Sequence, residues 1–296
     1  MVWVRRHRFE IALITPLAAY VLALTLMPIL DTLRLSFTGS DGSFPSLATY
    51  RALAASPVFR HALVNTVVLT FLSLTLELGV GLGVALLLHG SFRFRGLVRA
   101  IALIPLGVPT IVSAAVMLLI FSRSGYLTSL LWALADGVNL LPGVEWRFVP
   151  FSLTVAGGWR TLLTVAIADL WKVLPMVTLI FLAGLQAVPR EVYEAADVDG
   201  ATRWQRFRRI TLPLLMPYVT MALILRAIDA FRIFELALVL AGRIEPVLGT
   251  YIWSRYGPPT NDVVTAAASS MVLFAVIMVF IVLYLRLVAV RRSVSL

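Results

Sequence analysis

The sequence predicts an all-α integral membrane protein of about six transmembrane helices. Of its 296 residues, 60% are hydrophobic and only 14% are charged, and the mean hydropathy is +0.94. A soluble domain averages roughly a quarter charged residues. The apolar residues are also gathered into long runs, and a spanning helix needs ~20 such residues in a row. A membrane protein is the broad class that fits both observations.

Six stretches are long and apolar enough to cross a bilayer. They are residues 11–30, 62–88, 97–121, 162–187, 214–240 and 263–290. Pro105 and Pro109 are expected to bend the third span. The shorter apolar stretch 126–135 cannot span and predicts an interfacial helix. The chain shows no internal repeat, so a single membrane domain, 1–296, is the simplest division.

Arginine positions predict the orientation of the spans. If the N-terminus is inside, the cytoplasmic segments are shorter and richer in arginine than the outside loops, as the positive-inside rule requires. The arginines on that side are Arg5, Arg6, Arg8, Arg93, Arg95, Arg99, Arg190, Arg203, Arg206, Arg208, Arg209, Arg286, Arg291 and Arg292. Both termini are therefore predicted to be cytoplasmic.

Composition also excludes several functions. The net charge of +10 comes from arginines between apolar runs, which favours a membrane topology signal over nucleic-acid binding. The chain has no cysteine, so disulfides and thiolate metal sites are excluded. Its only lysine, Lys172, lies inside an apolar span, so no phosphate-binding loop of the Walker type exists here. We expect no catalytic residue, no metal and no cofactor on this chain.

The segment between the fourth and fifth spans, residues 188–213, predicts two short helices joined by a bend outside the membrane. Pro189 suits the start of a helix and Glu191 suits its first turn. Gly200 suits the left-handed position that ends it. A second basic helix, about 202–209, then leads to Pro213. The alternative interpretation is a solvated connector with interfacial arginines.

This segment resembles the EAA loop of the permease subunits of ABC importers. Glu194-Ala195-Ala196, Gly200, Ile210 and Leu212-Pro213 match every position of that motif, with the same spacings. The Asn65-Thr66 pair and the stretch 99–109 are similar to binding-protein-dependent sugar permeases of the maltose, trehalose and glycerol-phosphate type. The resemblance covers nearly the whole chain.

The resemblance implies a type I importer transmembrane domain in a prokaryotic cytoplasmic membrane. It implies four kinds of partner: a second permease subunit, expected to be a different chain; two ATPase subunits that hold ATP and magnesium; an external solute-binding protein; and the lipid bilayer. It also implies that Glu194 pairs with a basic residue in a cleft of the ATPase. The residues implied in this coupling are Glu194, Ala195, Ala196, Asp199, Gly200, Arg203, Ile210, Leu212 and Pro213.

Charges inside the spans are the candidate substrate path. A charge at mid-bilayer costs ~2.5 kcal/mol or more, so these side chains should face the bundle interior or water. On the fifth span, charges of alternating sign at intervals of three predict a slanting stripe. The candidate path residues, with the aromatic side chains beside them, are Asp169, Trp171, Lys172, Arg226, Asp229, Phe231, Arg232, Phe234 and Glu235. The alternative is interhelical salt bridges that fix packing, which is favoured for Glu77 alone.

The predicted function is import of a sugar, such as the disaccharides trehalose or maltose, driven by ATP hydrolysis on a partner chain. Permeases for non-sugar substrates such as glycerol phosphate or polyamine share the loop motif, so these substrates remain alternatives. An ion-coupled secondary transporter would use Asp169, Asp229 and Glu235 as ion sites, but it predicts inverted halves, which the sequence does not show. A structural subunit or channel leaves the EAA match unexplained.

Overall fold

The computed structural model of the chain describes residues 8–39, 41–90, 93–138, 157–242 and 244–293, and every regular element in these ranges is helical. The α-helices are α1 (Arg8–Ser36), α2 (Ala48–Ala55), α3 (Pro57–His89), α4 (Arg95–Leu103), α5 (Thr110–Phe121), α6 (Tyr126–Val138), α7 (Gly158–Gln186), α8 (Arg190–Val198), α9 (Arg203–Arg206), α10 (Leu212–Phe231), α11 (Glu235–Leu240), α12 (Leu248–Tyr256) and α13 (Val263–Ser293). A 3₁₀ turn, Ile104–Gly107, follows α4, and a π turn, Phe207–Thr211, joins α9 to α10.

Six candidate membrane spans occur in the described part of the chain, which confirms the predicted all-α membrane fold. They are Ala12–Ser36, Pro57–His89, Thr110–Gly137, Gly158–Gln186, Arg203–Phe231 and Val263–Leu287. Each is at least 25 residues long, and at 1.5 Å per residue that length exceeds a hydrocarbon core of about 30 Å. Four of the six lie close to the predicted spans.

The third span differs from its predicted bounds, 97–121, because it is interrupted. Val108 has an extended backbone with ψ of 130°, and Pro109 follows with ψ of 142°. Proline has no N–H to donate and disfavours the helical conformation of the residue before it. The candidate span therefore begins at Thr110 and takes in α5 and α6, which the turn at 122–125 separates. A helix is present at the predicted position 126–135, as α6, and it forms part of this candidate span.

The fifth span also differs from its predicted bounds, 214–240. Helix α10 ends at Phe231, and α11 starts only at Glu235. Arg232 lies at the C-cap of α10, where a cation is favourable, and Glu235 lies in the first turn of α11, where an anion is favourable. The prediction of one continuous helical stripe from Arg226 to Glu235 was therefore wrong.

The chain divides into two compact units. The first comprises residues 1–60 and 251–279. Within it, the end of α1 meets α2: the rings of Phe37 and Tyr50 lie 5.4 Å apart, and Thr49 donates a hydrogen bond to the Thr38 carbonyl. The Phe59 and Tyr251 rings make an edge-on contact at 5.5 Å. The large apolar side chains of the α1 span stay exposed in this chain.

The second unit comprises residues 61–250 and 280–296, and α7 is its most buried span. A methyl group on Gly81 of α3 would lie 2.6 Å from a Val177 methyl on α7. A methyl on Gly184 of α7 would lie 2.5 Å from Leu215 on α10. Helices α3, α7 and α10 therefore approach one another as closely as glycine permits. That the two units form one membrane domain stays a prediction.

Candidate functional site

A buried charge cluster joins α3, α7 and α10. Arg226 on α10 is 3% exposed, and its guanidinium donates to both carboxylate oxygens of Glu77 on α3, at 2.8 and 3.1 Å. The same guanidinium donates to Asp169 on α7 at 3.1 Å and to Asp229 on its own helix at 3.3 Å. The two-pronged arrangement on Glu77 is the strongest geometry an arginine makes with a carboxylate. One cation thus ties three spans together.

The cluster confirms one prediction made from the sequence and corrects another. Glu77, for which an interhelical salt bridge was favoured, is fully buried and is the main partner of Arg226. Asp169 pairs with Arg226 instead of Lys172, three residues away on the same helix. An ion pair between helical neighbours at that spacing stabilises a helix by only a few tenths of a kcal/mol. A buried carboxylate is much more costly to leave unpaired, so Asp169 pairs with the buried Arg226.

A cavity of about 320 Å³ opens beside the cluster, within the second unit. Side chains from α7, α10, α11, the connection 232–234 between α10 and α11, and the first residue of α5 form its wall. They are Thr110, Asp169, Lys172, Val173, Arg226, Asp229, Arg232, Ile233, Phe234, Glu235 and Leu236. The lining carries three acids and three bases among apolar side chains, so its formal charges balance. Such a space suits a polar ligand held by many hydrogen bonds.

Seven of the nine candidate path residues line this cavity, and two aromatic ones do not. Phe231 is buried and packs edge-on against Phe280, 5.4 Å away. Trp171 packs against the hydrophobic core that contains Leu69 and Val165. Phe234 is therefore the predicted aromatic residue that remains in the wall. Whether the lining residues touch a substrate stays a prediction.

Lys172 on α7 reaches across to the broken third span. Its ammonium donates to the carbonyl oxygen of Pro105 at 3.1 Å and to that of Val108. Both carbonyls lie at the interruption between α4 and α5. The sequence marked Lys172 as unusual because it lies in an apolar span, but spacing alone offered no way to identify these acceptors.

The predicted coupling segment forms a short helix with a glycine stop. Helix α8 begins after Pro189 and ends in a Schellman motif: the N–H of Gly200 donates to the Asp197 carbonyl, and that of Ala201 donates to the Ala196 carbonyl. Gly200 has a φ of +70°, the left-handed conformation expected for it. Pro189 occupies the N-cap position, one residue before the predicted start of the helix.

The second half of the segment is continuous with the fifth span. Thr202 and Gln205 form a capping box that starts α9 at the predicted position, and the chain runs through the π turn into α10 without a break. Two contacts hold α8 against this start: the Tyr193 hydroxyl lies 3.0 Å from that of Thr211, and Arg206 pairs with Asp197.

Exposure separates the residues of the EAA motif. Glu194 and Ala195 are exposed, whereas Ala196 is buried against the chain itself. Asp199, Gly200, Arg203 and Pro213 are exposed, and Ile210 and Leu212 are partly buried. The surface available to a partner therefore includes Ala195 but not Ala196. Their coupling roles remain predictions.

A second polar cluster lies at the N-terminal ends of α3 and α7, and the sequence analysis did not predict it. The Glu245 carboxylate accepts hydrogen bonds from the Gly158 N–H, from Asn65 at 2.9 Å and from His61 at 2.8 Å. Burial alone would raise the pKa of Glu245, but these hydrogen bonds outweigh it and lower the pKa. Glu245 also stabilises the N-terminus of α7. Its contacts lie more than 80 residues apart in sequence, beyond the reach of local patterns.

Long apolar helices with a charged cavity among them define a multi-pass membrane protein built around a polar interior. The chain belongs to the family of binding-protein-dependent transport system inner membrane components, whose model matches residues 77–294. This confirms the family resemblance noted from the EAA segment.

Relatives and solved structures extend the match to the whole chain. The chain is 35% identical to the trehalose/maltose transport system permease protein MalF of Thermococcus litoralis, over 98% of this chain and 96% of that protein. It is 35% identical to the trehalose transport system permease protein SugA of Mycobacterium tuberculosis, over 80% of this chain and 74% of that protein. A solved bacterial ABC transporter that imports the acidic polysaccharide alginate has a chain with a TM-score of 0.80, 25% identity and 98% coverage of both chains.

Proposed function

We propose that this chain is the permease subunit of an ATP-driven importer that carries a sugar, a disaccharide such as trehalose or maltose, into the cytoplasm. The observation that carries the proposal is the match to a trehalose/maltose permease along 98% of the chain. The cavity supports it because hydroxyl-rich ligands need many donors and acceptors, and its wall offers three acids, three bases and Phe234.

The proposed partners follow from the exposed side of the coupling segment. Val198 is 88% exposed and Trp204 is 66% exposed, beside the exposed acid Glu194. Apolar side chains this exposed, at the end of α8 and the start of α9, mark a contact surface. We assign this surface to an ATPase subunit that holds ATP and magnesium. A second permease of different sequence and an external binding protein complete the proposed importer.

Uptake into vesicles tests the proposal directly. Vesicles that contain the assembled complex should accumulate labelled trehalose or maltose only when hydrolysable ATP is on the ATPase side and the binding protein is on the other. Collapse of the proton and sodium gradients should leave the initial rate within about twofold of its value. An uptake that follows the ion gradient and not ATP would point instead to a secondary transporter. Competition by glycerol phosphate, but not by unlabelled disaccharide, would exclude the sugar.

The orientation is a second prediction. The arginine distribution predicts that both termini and the coupling segment are cytoplasmic. A reporter enzyme active only outside the cell should be active when fused after Ser43 or Gly257 and silent after Gly90 or Gly200. Activity after Gly200 would place the coupling segment on the wrong side for an ATPase and contradict the proposed function.

A further inference from the structure

The interruption before α5 leaves carbonyl groups that its own backbone cannot satisfy in the ordinary way. In an unbroken α-helix, the N–H of residue 109 would donate to the carbonyl of Pro105. Pro109 has no N–H, so the backbone donates to the Pro105 carbonyl only through the looser 3₁₀ bond from Val108, at 3.2 Å. Val108 is extended and lies outside both neighbouring helical elements. Pro105 is buried, and a buried carbonyl without a donor is costly.

Lys172 supplies the missing donors from the neighbouring span. Its ammonium is bonded to both carbonyls, Pro105 and Val108, across more than 60 residues of sequence. The position is also favourable for a cation because it faces the carbonyl end of α4 and its 3₁₀ turn. Three N–H groups on one flexible stem can serve two acceptors at once.

We infer that Lys172 is a positioning residue of the transport path, which holds the interruption at residues 104–109 against α7 and so fixes one wall of the cavity. Thr110, the first residue after the interruption, lines that cavity together with Lys172 itself. Loss of the lysine frees the segment to move away from α7. The inference rests on the proposed transport function only for the statement that this wall borders a transport path.

This role differs from that of a substrate ligand in a testable way. If Lys172 serves the carbonyls, a backbone N–H at residue 109 should replace part of what it supplies, because it lets the helix continue through Val108 and then donates to Pro105. Pro109→Ala should then rescue Lys172→Met. If Lys172 instead binds substrate, restoring that N–H cannot rescue anything.

The experiment uses a single reporter thiol and needs no knowledge of the substrate. The chain has no cysteine, so Thr110→Cys provides its only thiol. The labelling rate of this thiol by N-ethylmaleimide is measured in the solubilised complex and read on this chain after the subunits are separated on a gel. Lys172→Met should raise the rate at least fivefold, Lys172→Arg should keep it within twofold, and Lys172→Met with Pro109→Ala should restore it to within twofold.

A matched control separates the position of the wall from the charge of the cavity. Glu235→Gln removes a charge from the same cavity at a residue of α11, and it should leave the labelling rate within twofold. An unchanged rate in Lys172→Met, or a rate that stays high with Pro109→Ala, overturns the inference. If Lys172→Met yields no complex, recovery of the Pro109→Ala double variant supports the inference and its absence overturns it. Since labelling requires no uptake, a failed transport assay leaves this result standing.

Discussion

Arg226→Met should destabilise the assembled protein by about 3–5 kcal/mol, the cost of leaving buried carboxylates without their cation. Glu77 is fully buried and Asp169 is 5% exposed, so neither can turn to water once the guanidinium is gone. The measurement is the midpoint of thermal unfolding in detergent, together with the yield of intact complex. Both should fall sharply, because three spans lose their common partner.

Two further variants test whether unpaired buried charge causes the loss of stability. Replacing the cluster as a whole, with Arg226→Met, Glu77→Gln and Asp169→Asn together, should recover most of the lost stability because no buried charge is left unpaired. Arg232→Met makes the same chemical change six residues away at an exposed position, and should cost about 1 kcal/mol or less. A single variant Arg226→Met that unfolds at the wild-type midpoint would show that the cluster does not hold the spans together.

Gly200→Pro should abolish transport while the membrane-spanning helices stay folded. The φ of Gly200 is +70°, whereas proline fixes φ near −65°, and the lost N–H is the one that donates to Asp197. The Schellman stop of α8 cannot form, so the exposed face with Glu194 is no longer presented to the ATPase. The expected results are transport at background level, loss of ATPase co-purification and an unchanged unfolding midpoint.

The controls for this prediction use the same conformation elsewhere and a milder change at the same place. Gly42 also has a positive φ, +82°, and its N–H also donates to a turn carbonyl, so Gly42→Pro repeats the local damage in a different connector. It should leave ATPase co-purification intact. At Gly200 a methyl group meets nothing within 4 Å, so Gly200→Ala costs only about 1 kcal/mol of backbone strain and should retain most transport. Normal coupling in Gly200→Pro would refute the assignment of the segment.

The number and order of the membrane helices could be predicted from the sequence because each depends on a local run of apolar residues. The glycine stop of α8 was equally accessible, since the left-handed conformation is a property of residue 200 and its immediate neighbours. The first is decided within a run of ~20 residues and the second within about one helical turn. Patterns of this range also identified the family through the EAA spacings.

The partners of the intramembrane charges could not be predicted, because each is set by which spans meet. Their spacing on α7 predicted that Asp169 and Lys172 pair with each other. In the structure, Asp169 pairs with Arg226 instead, and Lys172 donates hydrogen bonds to two backbone carbonyls. The break after Phe231 was missed for a related reason: residues 232–234 carry neither proline nor glycine, so nothing local marks the end of the helix. The Glu245 cluster depends wholly on contacts between distant segments.

The attachment of α8 has a mechanical consequence. This short helix is clamped to the start of the fifth span by Tyr193 and Thr211 and by the Arg206–Asp197 pair, while its other end follows the fourth span after only a few residues. Those two spans are in turn locked together by the near-contact at Gly184 and by Arg226. A force applied to α8 is therefore transmitted directly to the fourth and fifth spans, because these attachments allow α8 little independent movement. The two spans then move with α8, and the flexibility of this unit lies elsewhere, at the interruption after Phe231 that borders the cavity.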